Sequence, residues 1–498
     1  GIHQVLNRRV KVIGDASRSI LRLLALHGRP VPLGLIESID GLGSELRQQI
    51  RELEARGMVG RSLDSGRPVY SILQPKLREI VSRDIPPAES RRLHGMLADA
   101  IEEHHQQDLD PVREELSHHY QLSDHPERAL EHLLAAGDAM KEMHAHSKAL
   151  EHYRDALQQI ENQDERISDW LAIHERIGDA ATVVGELDLA QSSLMIIQEA
   201  RIEQEDQSVE LDLCRVRALR KLGKIEEIRG DYPGALRLVR EASEVVSRLE
   251  GEEKDREQIC VLSQLAWLNV CIGDYDRAMK ISGEGLSLAG DSERTADHAI
   301  FFSSIGNASL YRNEMDQAKD FHRRALEIRE DLGDVPAMVN SLNALSETHL
   351  VSGEPMEALE LAQQALTMAE ELGDLSGQAI SLHREGSVFL ICGDLDSSLK
   401  KIEASLEISQ QNRMRFLGVR NHLARGRIRR IQREHGGAEG DLLRALGVHA
   451  RAGTGIGLLE CLVELAELHL DVKEIDRVEE ELERIQVILG ENSHPGFE

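Results

Sequence analysis

Residues 299–334 read AIFFSSIGNASLYRNEMDQAKDFHRRALEIREDLGD, and residues 339–374 repeat the design as VNSLNALSETHLVSGEPMEALELAQQALTMAEELGD. Gly306, Ala318 and Ala325 of the first stretch fall in step with Ser346, Ala358 and Ala365 of the second. Traced outward, the first of these positions is occupied by Gly137, Gly178, Gly223, Ala266, Gly306, Ser346, Gly386, Gly426 and Ala466. The second, twelve residues later, holds Ala149, Ala190, Ala235, Ala278, Ala318, Ala358, Ser398, Ala438 and Val478. The third, seven further on, holds Ala156, Ile197, Ala242, Gly285, Ala325, Ala365, Ser405, Ala445 and Ile485. Two antiparallel helices need small side chains where their backbones come closest, and a fixed period of this length marks a solenoid of stacked helix pairs. The early steps are 41, 45 and 43 residues; from Ala266 onward each is forty.

The turns carry the same phase. Gly230-Asp-Tyr, Gly273-Asp-Tyr, Gly353-Glu-Pro and Gly393-Asp-Leu sit inside pairs, while EDLGD (330–334) and EELGD (370–374) sit between them, with Gly453 in the same phase. Gly supplies the left-handed exit from one helix and Asp caps the next. Nine pairs result, with first helices ending near 141, 184, 226, 272, 312, 352, 392, 434 and 471. The tail after about 490 is polar and expected to be disordered.

Composition agrees. The chain of 498 residues is 41% hydrophobic but only 3% aromatic, so its core is built from Leu, Ala, Ile and Val, which favour helix. The net charge of −29 disfavours phosphate backbones and anionic membranes and suits basic or neutral partners. Five scattered cysteines show no paired spacing, which reads as a reducing, cytoplasmic compartment without a disulfide framework. No apolar run is long enough to span a bilayer, and no charged-then-apolar leader is present. The chain opens on Gly1 in mid-pattern and reads as a piece of a longer protein.

The first 75 residues differ. ASRSILRLLALHG (16–28), LGLIESI and GSELRQQIRELEARG (43–57) are three helix signals, followed by MVGRSL and RPVYSIL, two β-prone runs around Asp64-Ser-Gly66. Three helices and a hairpin predict a small winged-helix domain over 1–75. Residues 76–125 form a helical junction broken by Pro86-Pro87, and 126–490 hold the repeats.

These residues carry a resemblance. The pattern over 126–490 resembles the tetratricopeptide repeat in its forty-residue form with Leu-Gly-Asp linkers. Residues 69–103 and 115–140 resemble the junction in bacterial signal-transduction ATPases with numerous domains (STAND), through Arg91, Leu93, His94, Ala98, His119 and Ala136. Where that family has Phe-x-His, this chain has Tyr70-Ser-Ile-Leu-Gln74. The resemblance implies an all-α tetratricopeptide superhelix behind a winged helix, the sensor arm of a larger regulator. That arm would bind a protein or peptide in its concave groove and control a linked ATPase or effector. The ATPase is not in this chain: no G-x-x-x-x-G-K-[ST] loop occurs.

Candidate sites follow. First helices of tetratricopeptide pairs line the groove, which assigns Trp267, Ser303, Asn307, Tyr311, Asn340, Asn343, Glu347, His383, Ser387, Arg427 and Arg430 to partner binding. An Asn amide offers a peptide backbone a donor and an acceptor at once, although Asn can also merely cap or solvate helices. Trp267 is either an anchor or filler between pairs. The third helix carries Arg47, Gln48 and Arg51, which could read a major groove; this gives the alternative of a DNA-binding regulator with the repeats as effector sensor. Nucleic acid is otherwise disfavoured as a partner, as is a membrane. His104, His105, His118, His125, His132, His144, His146 and His152 read as solvated helix surface, and His94 and His119 as packed at the junction. No H-E-x-x-H occurs, so no metal site is expected, and no cofactor. Gly453-Thr-Gly-Ile-Gly457 lacks the strand and Lys of a phosphate loop, and no G-x-S-x-G elbow is present; no enzyme activity is expected.

Overall fold

A computed structural model describes residues 2–39, 45–64, 66–160, 166–200, 208–290, 294–412, 414–452 and 455–491. The chain divides into two compact lobes, Gly1–Ile196 and Ile197–Glu498.

The N-terminal lobe opens with α1 (Ile2–Lys11) and α2 (Asp15–His27), then β1 (Val31–Pro32), α3 (Leu33–Ser38), α4 (Leu46–Ala55), β2 (Val59–Asp64) and β3 (Arg67–Ile72). The strands form an antiparallel sheet in the order β1-β3-β2, with Val31 opposite Tyr70 and Val59 opposite Ile72. The helix α1 and the two-residue strand β1 are absent from the sequence reading; Pro30-Val-Pro32 is too short to alternate visibly. The lobe continues through α5 (Pro75–Arg83), α6 (Pro87–His104), a 3-10 turn and α7 (Arg113–Gln121), then α8 (Pro126–Glu142), α9 (His146–Gln158), α10 (Ile167–Val184) and α11 (Leu187–Glu199), the last crossing the division between lobes. Pro75 and Pro87 each open a helix, where a missing N–H costs nothing. One core joins α2, α4, α5, α6 and α7 through Ile20, Leu21, Leu53, Leu77, Leu97 and Leu116. Each such buried side chain stabilises the lobe by about 1.5–3 kcal/mol.

The C-terminal lobe is a stack of helix pairs: α12 (Ser208–Arg229) with α13 (Tyr232–Val246), α14 (Glu252–Ile272) with α15 (Tyr275–Ala289), and α16 (Ala296–Tyr311) with α17 (Met315–Asp331). There follow α18 (Val335–Val351) with α19 (Pro355–Leu372), α20 (Leu375–Ile391) with α21 (Leu395–Gln411), α22 (Arg415–Ile431) with α23 (His435–Ala452), and α24 (Gly455–Asp471) with α25 (Ile475–Glu491).

The small residues meet as the period requires. Ser346 Oγ donates to the Ala358 carbonyl at 2.7 Å, and Ser398 Oγ to the Gly386 carbonyl at 2.7 Å, each joining the first two positions of one pair. A methyl group built on Gly285 would lie 2.1 Å from the Phe301 ring, so this close approach admits no side chain. Turns follow the same logic: Gly273 exits its helix at φ +87°, and Asp274 caps the next helix by accepting from the Arg277 N–H. In other pairs the left-handed position holds Asn313, Arg433 or Lys473 at φ +63°, +66° and +63°. Among the described residues no helix is long and apolar enough to cross a membrane.

Candidate functional site

A cavity of about 840 Å³ runs along the C-terminal lobe. Its wall is built mainly from first helices, α12, α14, α16, α18, α20, α22 and α24, because second helices pack behind them. The chain has two Trp, six Tyr and six Phe; five of them, Tyr232, Trp267, Tyr275, Tyr311 and Phe416, line this one cavity. Its charge also departs from the acidic whole: six basic residues face it against four acidic ones.

Of the eleven groove residues expected from sequence, eight lie on this wall: Trp267, Ser303, Asn307, Tyr311, Asn340, Asn343, Glu347 and His383. Trp267 is half-buried, and its indole N–H donates to Glu227 on α12 at 3.0 Å. Tyr311 stacks on Tyr275 at 5.0 Å. Asn307 and Asn340 make no side-chain hydrogen bond among the described residues. Asn343 is only 2% exposed, and its amide N–H group already donates to the Val339 carbonyl and to Ser381 Oγ, each at 3.0 Å. Its Oδ1 is buried and has no hydrogen-bond partner among the described residues, so Asn343 packs between helices and presents no free amide group to a ligand.

Ser387, Arg427 and Arg430 are not on the wall. Ser387 Oγ donates to the His383 carbonyl at 2.9 Å. Arg427 pairs with Glu464, and Arg430 with Glu464, Glu467 and Asp471, all on α24. The reason is a drift in the cavity's path. On α16 the wall extends past Gly306 to Asn307 and Tyr311. On α22 and α24 it lies earlier, with Arg420 six residues before Gly426 and Glu460 six before Ala466. Successive pairs in a solenoid are rotated against one another, so one helical offset cannot serve every pair. Arg420 and Phe416 were missed for this reason, and a stepwise shift toward the helix N-termini would have found them; Arg384 lies directly beside the expected His383.

The polar centre of the wall is Glu347. It is bonded to Arg384, and its Oε1 accepts from Arg420 Nη2 at 2.9 Å. Burial would raise its carboxyl, but the two guanidinium groups overcome this and hold it well below the usual carboxylate range. The Glu347 charge, with burial, pushes the Tyr311 phenol up to about 12. Burial, then Arg420 and Arg384, lowers His383 to about 3, so it is neutral; its Nδ1 lies 2.8 Å from Asn421 Oδ1. The thiols of Cys260 and Cys271 on the wall are both raised by burial, which disfavours the thiolate.

The other candidates lie elsewhere. Arg47, Gln48 and Arg51 are exposed on α4; Arg47 Nε donates to Glu37 at 2.7 Å, and Arg51 Nε to the Arg47 carbonyl at 3.2 Å. His94 and His119 pack with their Nδ1 atoms 2.8 Å apart. Burial lowers both, to about 4 and about 3. His132, expected on a solvated surface, is buried and stacked on Tyr120 at 4.9 Å, because the ring supplies apolar area that an all-aliphatic pattern hides. Gly453 and Thr454 of the glycine-rich turn lie outside the described residues, as does the tail after 491.

A family model for the tetratricopeptide repeat matches residues 297–371, the region of α16 to α19. Among solved structures, a Rap protein complexed with Competence and Sporulation Factor is similar over 73% of this chain and 98% of that one, at 12% identity and a TM-score of 0.54. NprR in complex with its cognate peptide NprX aligns over 65% and 89%, at 14% identity and 0.47. A signal-transduction ATPase with numerous domains from Pyrococcus horikoshii, with a tetratricopeptide sensor, aligns over 99% and 66%, at 14% identity and 0.40. A comparison with curated proteins finds no match. The Rap likeness is one of fold: helix pairs of the tetratricopeptide type stacked in series.

Proposed function

We propose that this chain is a non-catalytic sensor: it holds a peptide or an extended segment of a partner in the cavity of its C-terminal lobe. Binding would regulate an ATPase or effector linked to residues 1–125. The carrying observation is the wall itself, where five aromatic rings, unpartnered Asn side chains and an excess of basic residues converge within about 840 Å³. Large rings supply anchoring area at low entropic cost, and amide groups hold a peptide backbone whatever its sequence. Because most packing is between successive pairs and Arg420 also reaches Glu347 two pairs away, a ligand bridging several first helices would shift the pitch of the stack. The STAND-like junction supports the coupling to an ATPase. We read residues 1–75 as a winged helix serving as a packing module.

The test uses tryptophan fluorescence. Trp170 and Trp267 are the chain's two tryptophans, so Trp170→Phe leaves one reporter in the cavity. Peptides selected from a random library on the full chain should change its emission, and Asn307→Ala and Tyr311→Ala should weaken binding at least about tenfold with melting unchanged. Equal binding by those variants would exclude the cavity as the site.

A second reading is DNA binding through α4, favoured by the exposure of Arg47, Gln48 and Arg51. It requires a salt-dependent shift of duplex DNA by the full chain, abolished in Arg47→Glu/Arg51→Glu.

A further inference from the structure

We propose that His27, Glu115 and His119 form a binding site for a divalent transition cation, with zinc the best fit, that staples the end of α2 to α7. The three side chains each offer one ligand atom, and these atoms all lie within 4.8 Å of one another. Glu115 and His119 stand four apart on α7, the spacing that puts two side chains on one helical face. His27 is the last residue of α2, and its Nδ1 lies 3.0 Å from Glu115 Oε1. Two nitrogens and a carboxylate oxygen make a donor set that zinc accepts, leaving a fourth position for water. Closing the cluster onto bonds of ~2.0–2.2 Å asks each side chain to move by on the order of 1 Å.

The surroundings are those of a built site. His119 is buried and the side chain of His27 is 6% exposed, so their positions are set by packing. His94 on α6 faces the Nδ1 of His119 across 2.8 Å, which leaves Nε2 of that ring as the ligand atom. Histidine ligands are commonly oriented by such a hydrogen bond to the other nitrogen. The His27 and His119 rings stack at 5.7 Å. Arg29 also faces Glu115, and a divalent cation would compete with that attraction. No sequence motif announces the site, because His27 comes from a helix far along the chain from α7.

The experiment is a zinc titration of the full chain, stripped beforehand with a chelator and followed by calorimetry and by competition against a chromophoric chelator. One saturable site per chain is expected, with an accompanying rise in melting temperature. Glu115→Gln preserves shape and hydrogen bonding, and His27→Ala alters only a helix end; each should weaken binding at least about a hundredfold. His105→Ala and His125→Ala, both outside the cluster, should bind as the parent does. Cobalt in place of zinc should give a visible spectrum without a thiolate charge-transfer band. Absence of saturable binding, binding unchanged in Glu115→Gln and His27→Ala with native circular dichroism, or a thiolate band would each overturn the proposal.

Discussion

Arg420 on α22 donates to Glu347 on α18 at 2.9 Å, joining helices that are two pairs apart and bypassing α20 between them, whose Arg384 holds the same carboxylate. A stack in which each pair contacts only its neighbours would not bring these two together. The bridge spans the cavity wall, so it ties the pitch of the stack to a charge cluster that faces the proposed ligand.

Removing one arm of this cluster should loosen the lobe without unfolding it. Arg420→Met is expected to lower stability by roughly 1–3 kcal/mol, below the full cost of breaking a buried pair, since Arg420 is partly solvated and Arg384 remains. Denaturant unfolding measures the cost. A change under about 0.5 kcal/mol would show that the bridge does not hold α18 to α22.

Two glycines on α15 should respond in opposite directions. Gly285→Ala pushes a methyl into the Phe301 ring and should cost about 1–3 kcal/mol. Gly283 is exposed on the same helix with nothing within 4 Å of an added methyl, so Gly283→Ala should stabilise by about 0.5–1 kcal/mol. Equal effects would mean that the close approach between α15 and α16 is absent.

The left-handed position after α22 holds Arg433 at φ +66°, where other turns of the stack have Gly. Arg433→Gly should raise stability by about 0.5–1 kcal/mol, the relief of strain less the added freedom of the unfolded chain. Differential scanning calorimetry reads this as a higher melting temperature. A fall would place that residue in a different backbone region.

Acid should weaken the protein before its carboxylates titrate. Burial lowers His322, His174 and His449 to about 4 and His383 to about 3, so each is neutral in the fold. The unfolded chain takes up protons first, below its ordinary value of about 6.5. Stability is therefore complete above pH ~6.5 and falls as the pH drops toward 4. The paired carboxylates of Glu347 and Asp441 are held far below their ordinary range and contribute down to more acidic pH. His322 is fully buried with neither ring nitrogen hydrogen-bonded among the described residues. His322→Leu should stabilise by on the order of 1 kcal/mol at pH 7 and flatten the loss between pH 6.5 and 4.5. Melting temperature against pH, parent beside variant, decides it.

The periodic reading succeeded where the cause is local. Ala149, Ala190, Ala235, Ala278, Ala318, Ala358, Ser398 and Ala438 are all fully buried, because a helix can approach another closely only over a small side chain. Val478 breaks the series in the last pair, α24–α25, and is half-buried. The cavity lining was legible where the wall follows the small residues, at Asn307 and Tyr311, and illegible where it drifts away, at Arg420 and Phe416. His27 and His119 could not be joined from sequence at all.

By itself the sequence determined that helices form in pairs, where each turns, and which face of each is buried, since these depend on residues within a turn or two. Only the tertiary structure decided the rotation of one pair on the next. That rotation sums many weak packing contacts, and it selects which side chains from distant helices share a cavity or face one another across a gap.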